Sequence, residues 1–340
     1  PYRRQRQMCI RDRKKIAIIG SGSWGSALGI YLAKNGNKVK IWSFSEDEKN
    51  MINNEKKCVF LPKAVIPNDV VCSTDFKEVL QDAEIVLHVT PSKFVRSTIK
   101  QYKDIINDNQ ILVMCSKGFE AETQMTLDEV IEEELPNIKY GILSGPSHAE
   151  EVSLDIPTAL VIASKDEVVK EKVIEAFKSP IIRLYTSSDV KGVELGGALK
   201  NIIAFCAGIS VGLDLGDNTF AALATRGLVE ICRLGTAMGG KEKTFYGLTG
   251  LGDLIVTCGS EHSRNRRAGK LIGKGYSIEE TKKEVGMTIE SIDNIDVAYK
   301  LAKKYGVEMP IVNAVYDVLY NGLNPKTAVE NLMTRTLKEE

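Results

Sequence analysis

The chain has 340 residues, 45 Lys and Arg against 45 Asp and Glu, a formal net charge of zero and 43% hydrophobic residues. That length predicts about two domains, and a balanced composition of this kind implies no general affinity for nucleic acid. The seven cysteines stand singly without C-x-x-C spacing, and His88, His148 and His262 lack metal-ligand spacing, which points to thiols in a reducing compartment and away from a disulfide frame or a zinc site.

Residues 1–13 carry five arginines against one aspartate and show no apolar periodicity. The stretch reads as a non-native leader outside the fold; a mitochondrial targeting segment is the rival reading, but serine and a clear amphipathic stripe are lacking. Without it the chain holds 40 basic and 44 acidic residues. No secretory apolar segment is present, and the longest uncharged apolar run, residues 202–213, is too short to span a bilayer.

The stretch KKIAIIGSGSWGSALGIYLAKNG, Lys14 to Gly36, is the most informative in the chain. Its first apolar run predicts a strand covered on both faces. Gly20, Gly22 and Gly25 then fit G-x-G-x-x-G ahead of a helical pattern. In that setting Gly20 permits a tight turn, Gly22 lets backbone approach a pyrophosphate, and Gly25 lets helix and strand sit close. The helix N-terminus offers free N–H groups to phosphate. A plain strand–helix turn is the bland alternative.

Further strands are predicted over residues 38–43, 84–92, 110–118, 140–147, 158–164 and 181–187, with helices over 123–135 and 167–177 between them. The alternation predicts a doubly wound, mostly parallel sheet of Rossmann type over residues 14–188. In such sheets ligands bind beyond the carboxyl ends of the strands. Thr90 to Ser92, Ser116 to Gly118 and Ser144 to Ser147 are therefore candidate site walls. His88, among apolar neighbours, reads as a core or pocket-wall residue.

Beyond Ser188 strand signals vanish. Helices are predicted over 189–213, 218–238, 277–285, 291–305 and 310–320, giving an all-α domain over residues 189–340. The first of these is studded with glycines that lower helix propensity; close helix packing or close approach to a ligand would explain them. A cleft between two domains of different class is a favoured place for a small-molecule site.

Four features carry candidate chemistry. Lys200 lies in GGALKNIIAFCAG, where desolvation would lower its pKa into a range useful for proton transfer; a lysine whose head reaches water is the alternative. Lys117 closes a predicted strand on the ligand side of the sheet, or is a surface lysine at a turn. Asp253, between a glycine-rich turn and an apolar run, would orient or charge-pair with a catalytic lysine, or cap a helix. Ser263 would cap a helix whose first turn carries Arg264, Arg266 and Arg267 around Asn265, a pattern suited to a phosphate dianion or to a solvated basic face.

Together with GSGSWGSA, the segments VTPS, SKGFE, SGPSHAEEV, GGALKN, TRGLVE, GLGDLIVTC, SRNRR and GVEMPI occur in this order from residue 20 to residue 311. In them the chain resembles the bacterial-type NAD(P)-dependent sn-glycerol-3-phosphate dehydrogenase family. The resemblance implies reversible reduction of dihydroxyacetone phosphate to sn-glycerol 3-phosphate, feeding phospholipid synthesis, by a metal-free, cytoplasmic and usually dimeric enzyme with no stable membrane insertion. It implies Lys200 as general acid/base at the C2 oxygen, Lys117 beside the nicotinamide with the backbone at Gly145 and Ser147, and Asp253 supporting Lys200. Ser263, Arg264 and Asn265 would hold the substrate phosphate. Ser23, Trp24, Ala149, Glu290, Lys117 and Arg264 would contact the dinucleotide.

One departure concerns cofactor choice. NADPH-favouring relatives often carry a basic residue just after the second strand, where this chain has Phe44; Glu46 and Asp47 follow. A 2′-phosphate wants an arginine and an NAD ribose an acid, so NAD or NADP stays open, with tolerance of both as the expectation. Two rival readings remain. One is a related 3-hydroxyacid or hydroxyacyl dehydrogenase, disfavoured by the Ser263–Arg264–Asn265 cluster beside a lysine. The other is a dinucleotide-binding module without catalysis, disfavoured by Lys200 and Lys117.

Overall fold

The computed structural model describes residues 13–336; the expected leader lies outside the described residues except for Arg13, as does Cys9. The chain divides into two compact units. The first takes the described residues up to Ser116 together with Leu127–Val190, and the second takes Lys117–Thr126 and the residues from Lys191 onward. The sequence places a single boundary near Ser188, whereas the structure also assigns 117–126 to the helical unit. The reason is local: Phe119 is fully buried in the helical unit's apolar cluster, and its N–H donates to the Asn294 side chain at 3.3 Å.

The first unit is built on eight strands: β1 (Lys15–Ile19), β2 (Lys38–Trp42), β3 (Val71–Ser73), β4 (Ile85–His88), β5 (Ile111–Met114), β6 (Lys139–Ser144), β7 (Thr158–Ala163) and β8 (Ile182–Ser187). They lie in the order β3-β2-β1-β4-β5-β6-β7-β8. The first six pair in parallel, β7 runs antiparallel to β6, and β8 pairs in parallel with β7. The order of those six is that of doubly wound dinucleotide-binding sheets, in which the strand sequence reverses direction beside β1. The central strands β4 and β5 are buried at every position, as two-sided cover requires. Strand β3 was not anticipated from sequence; it has three residues, with Val71 exposed, too few for a periodic signal.

Seven α-helices accompany the sheet among the described residues of this unit: α1 (Ser23–Lys34), α2 (Glu46–Asn50), α3 (Phe76–Leu80), α4 (Val95–Tyr102), α5 (Leu127–Glu134), α6 (Ala149–Ser153) and α7 (Glu167–Phe177). Side-chain caps begin several of them: Asp75 accepts from the Lys77 N–H and Asp166 from the Val168 N–H, each at 2.8 Å. His88 is wholly buried, with Nδ1 2.8 Å from the Tyr102 hydroxyl and Nε2 2.7 Å from the Thr90 hydroxyl. Burial pushes its pKa down to about 3, so it is a neutral core residue, as one of its two expected roles required.

The helical unit begins with α8 (Val190–Gly212), followed by α9 (Asp217–Ala237), α10 (Glu242–Phe245), α11 (Asp253–Gly259), α12 (Arg264–Gly273), α13 (Ile278–Val285), α14 (Glu290–Tyr305), α15 (Pro310–Tyr320) and α16 (Pro325–Met333). By length and composition α8 could cross a membrane, yet 89% of its most apolar window is buried within the protein; it is the core helix of this unit. Its glycines serve close packing. A β-carbon at Gly208 would lie 2.0 Å from the Arg266 carbonyl oxygen, and one at Gly269 would lie 1.9 Å from that of Phe205. Helices α8 and α12 thus touch backbone to backbone, which only glycine allows. Buried Glu230 accepts from the N–H groups of Ile311 and Val312, at 2.7 and 3.2 Å, and so caps α15 from within α9.

Candidate active site

The glycine turn occupies the point beside β1 where the strand order reverses. Gly20 has a φ of +124°, which side chains other than glycine's rarely tolerate, and its N–H donates to the Trp42 carbonyl at 3.0 Å. A β-carbon at Gly25 would lie 1.9 Å from the Gly20 carbonyl oxygen, whereas one at Gly22 would meet nothing within 4 Å. Gly25 therefore secures close helix–strand contact and Gly22 leaves open space, the division of labour a pyrophosphate needs. Gly22 stands at the N-cap of α1 with no side chain bonded to the first-turn N–H groups; Ser23 and Trp24 are the first residues of that helix. These residues fit a dinucleotide. In the same unit, Gly145 follows β6 with a φ of +139°, the Ser147 hydroxyl donates to its carbonyl at 3.3 Å, and Ala149 opens α6.

The second unit gathers the charged candidates. The Asp253 carboxylate receives the Lys200 ammonium on Oδ1 at 2.7 Å and the Lys117 ammonium on Oδ2 at 2.6 Å. Lys200 also donates to the Thr257 hydroxyl at 2.6 Å, and that hydroxyl donates to Asp253 at 3.2 Å. Lys200 is 5% exposed and Asp253 1%, so the alternative of a lysine head in water is set aside. Asp253 is the first residue of α11, with Gly252 in the capping position; its carboxylate oxygens go to the two ammonium groups. Thr257, one helical turn on, was missed from sequence, although its i, i+4 spacing from Asp253 places both on one face.

Opposed effects set the protonation states. Burial lowers Lys200, Asp253 raises it, Lys117 lowers it again, and the balance brings its pKa down to about 8. Burial alone would raise Asp253, but the charges of Lys117 and Lys200 outweigh it and hold the carboxyl below its ordinary value. The result is a fixed anion beside an amine poised to gain or lose a proton near neutrality, which is the condition for acid–base work.

The residues expected to hold an anion lie at the N-terminus of α12. The Ser263 hydroxyl accepts from the Arg266 N–H at 3.2 Å, confirming the expected cap. Buried Asn265 accepts the Ser291 N–H of α14 on Oδ1 at 3.1 Å, leaving its amide nitrogen as a donor. Among the described residues Arg264 pairs with no carboxylate, and its charge acts on Glu290. Burial raises the Glu290 carboxyl while Arg264, Lys200 and Lys117 lower it, the net being upward. Arg266 pairs with Glu261 and Arg267 donates to the Val285 carbonyl at 3.4 Å, so among the described residues Arg264 is the arginine of this turn with no hydrogen bond or ion pair. Two asparagines not anticipated from sequence tie this region together: Asn201 donates to Glu290 at 3.2 Å, and Asn294 donates to the Ala198 carbonyl at 3.3 Å while accepting the Phe119 N–H. The structure thus brings Lys117, Lys200 and Asp253 into one cluster, and Glu290 lies in the field of both lysines and of Arg264.

Comparison with known proteins agrees with this geometry. Residues 15–170 match the N-terminal part, and residues 189–330 the C-terminal part, of the NAD-dependent glycerol-3-phosphate dehydrogenases. The chain is 50% identical over 330 residues to a glycerol-3-phosphate dehydrogenase (NAD(P)+) of Fusobacterium nucleatum, covering 96% of this chain and 98% of that protein. It is 47% identical to the protein of the same name from Bacillus subtilis, over 95% of this chain and 94% of the relative. The crystal structure of glycerol-3-phosphate dehydrogenase (gpsA) from Coxiella burnetii superposes with a TM-score of 0.92 at 38% identity, over 95% of this chain and 99% of that one. The chain belongs to the NAD-dependent glycerol-3-phosphate dehydrogenase family.

Proposed function

We propose that this chain catalyses the reversible NAD(P)H-dependent reduction of dihydroxyacetone phosphate to sn-glycerol 3-phosphate. The observation that carries the reading is the buried Lys200–Asp253–Lys117 cluster, in which one carboxylate holds two ammonium groups. In reduction the C2 carbonyl carbon gains a hydride and its oxygen gains a proton; the nicotinamide dinucleotide supplies the hydride when bound.

Lys200 supplies the proton. Its ammonium loses one proton to the C2 oxygen as the carbonyl becomes an alcohol, and in the reverse direction the neutral amine takes that proton back. Asp253 and Thr257 fix the direction of the Nζ lone pair, since both bind the same nitrogen. Lys117 places a second positive charge beside the oxygen on which negative charge develops. Ser263, Arg264 and Asn265 grip the substrate phosphate, and that remote binding energy orients the reacting carbonyl. Within the first unit, Gly20, Gly22, Gly25, Ser23, Trp24 and Ala149 form the dinucleotide cradle. A cytoplasmic homodimer supplying glycerol phosphate for phospholipid synthesis belongs to the same proposal.

Steady-state assays of dihydroxyacetone phosphate and of 3-hydroxyacids, each with NADH or NADPH and their oxidised forms, test it. Turnover of the triose phosphate is the expected result. Turnover of hydroxyacids alone, or dinucleotide binding with no turnover of any substrate, contradicts it.

A further inference from the structure

We propose that the Glu48 carboxylate, held against the glycine turn, makes this chain bind NADH in preference to NADPH. The inference deepens the functional reading above and rests on it. Strand β2 ends at Trp42, whose carbonyl accepts the Gly20 N–H at 3.0 Å, so the residues that follow it lie alongside the turn. Ser43 is wholly buried there. The Ser21 hydroxyl donates to Glu48 and lies 2.8 Å from the Ser43 hydroxyl, which itself reaches Glu48 at 3.3 Å. Both serines meet the same oxygen, Oε2. Oε1 has no hydrogen bond among the described residues, and Glu48 is half-buried, so one carboxylate oxygen is anchored and the other can accept.

In sheets of this strand order, the end of β2 is where the adenosine ribose is read, by an acid about 20 residues beyond the glycine turn. A ribose 2′-hydroxyl donates to such an oxygen. A 2′-phosphate in the same place brings anion against anion. Among the described residues no cation pairs with Glu48. Phe44, at the position open to a 2′-phosphate, is 90% exposed and apolar. Glu46 and Asp47 add negative charge on the same helix, Lys49 is paired with Glu46 at 3.0 Å, and the Lys40 ammonium is bound to the Glu78 carbonyl at 2.7 Å. The tolerance of both cofactors expected from sequence followed from seeing no acid at the strand end; folding brings Glu48 there from five residues further on.

The test is fluorescence titration of NADH and of NADPH into the ligand-free full chain and two variants. NADH should bind the unsubstituted chain about tenfold more tightly or better. Glu48→Gln keeps an oxygen for Ser21 and Ser43 and removes the charge; the ratio should then fall to about threefold or less, by tighter NADPH binding. Phe44→Arg lies at an exposed position that the fold does not depend on, and should tighten NADPH by about tenfold with NADH little changed. Equal affinities in the unsubstituted chain, or a ratio that Glu48→Gln leaves unmoved, overturn the proposal while leaving the dehydrogenase reading intact. Failure of both dinucleotides to bind the unsubstituted chain overturns that reading and this inference with it.

Discussion

Lys200 and Lys117 share one carboxylate, and that arrangement makes the proposed proton transfer sensitive to pH in a definite direction. With Lys200 brought down to about 8, oxidation of glycerol 3-phosphate needs the neutral amine, so its kcat/KM should rise as pH climbs through about 8 and then level off. Reduction needs the ammonium, so its kcat/KM should fall over the same range. Asp253 raises the Lys200 pKa; removing its charge in Asp253→Asn should move both limbs to lower pH and cut kcat by about 10²-fold, as expected for loss of an orienting group. Profiles that stay in place, or shift upward, would remove Asp253 from this role. Each of the three residues was legible singly, because a lysine among apolar neighbours and an aspartate after a glycine turn are unusual. The pairing of Asp253 with Lys200 was expected and is present; that Lys117 shares the same carboxylate was not, since it lies 136 residues from Asp253 and no periodicity encodes that distance. Thr257 and Glu48 escaped for the opposite reason: a threonine within an apolar helix and a glutamate in an acidic run look ordinary until the fold assigns their partners.

At the scale of elements, the proposed anion site depends on how α12 is carried. Its first turn presents Ser263, Arg264 and Asn265, while further along Gly269 lies against the backbone of α8, the helix that bears Lys200. Gly269→Ala should force the two helices apart, because the clashing atom is a carbonyl oxygen that cannot rotate away. We expect a loss of about 3 kcal/mol in unfolding free energy by denaturant titration and a higher KM for the triose phosphate. Unchanged stability and KM would show that α12 can shift without consequence. The glycines of α8 are legible as an anomaly in a helix, and the structure resolves the two explanations open at that stage in favour of packing. The long helices 190–212, 217–237 and 310–320 were legible within a residue or two from their apolar periodicity, and α7 likewise. The antiparallel direction of β7 was not, because a run such as TALVIA is apolar on both faces whichever way its neighbour points. Short α10 and α16 escaped as well, the former having only four residues.

For the molecule as a whole, the sequence made the two-part design readable: a doubly wound sheet opening with a glycine turn, then helices carrying the charged groups. It did not reveal that residues 117–126 leave the first part to join the second. This excursion explains how Lys117, which follows strand β5 in sequence, comes to share Asp253 with Lys200 inside one compact unit. Phe119 is its one fully buried large hydrophobe, and a short segment with so little apolar burial gives no composition shift to read.

The central claim is that Lys200 moves the proton. Lys200→Ala should be measured for dihydroxyacetone phosphate turnover and, on the same preparation, for NADH binding by fluorescence. We predict a fall in kcat of about 10³-fold with NADH affinity changed by no more than about twofold. Turnover within a few-fold of the unsubstituted enzyme would contradict the account.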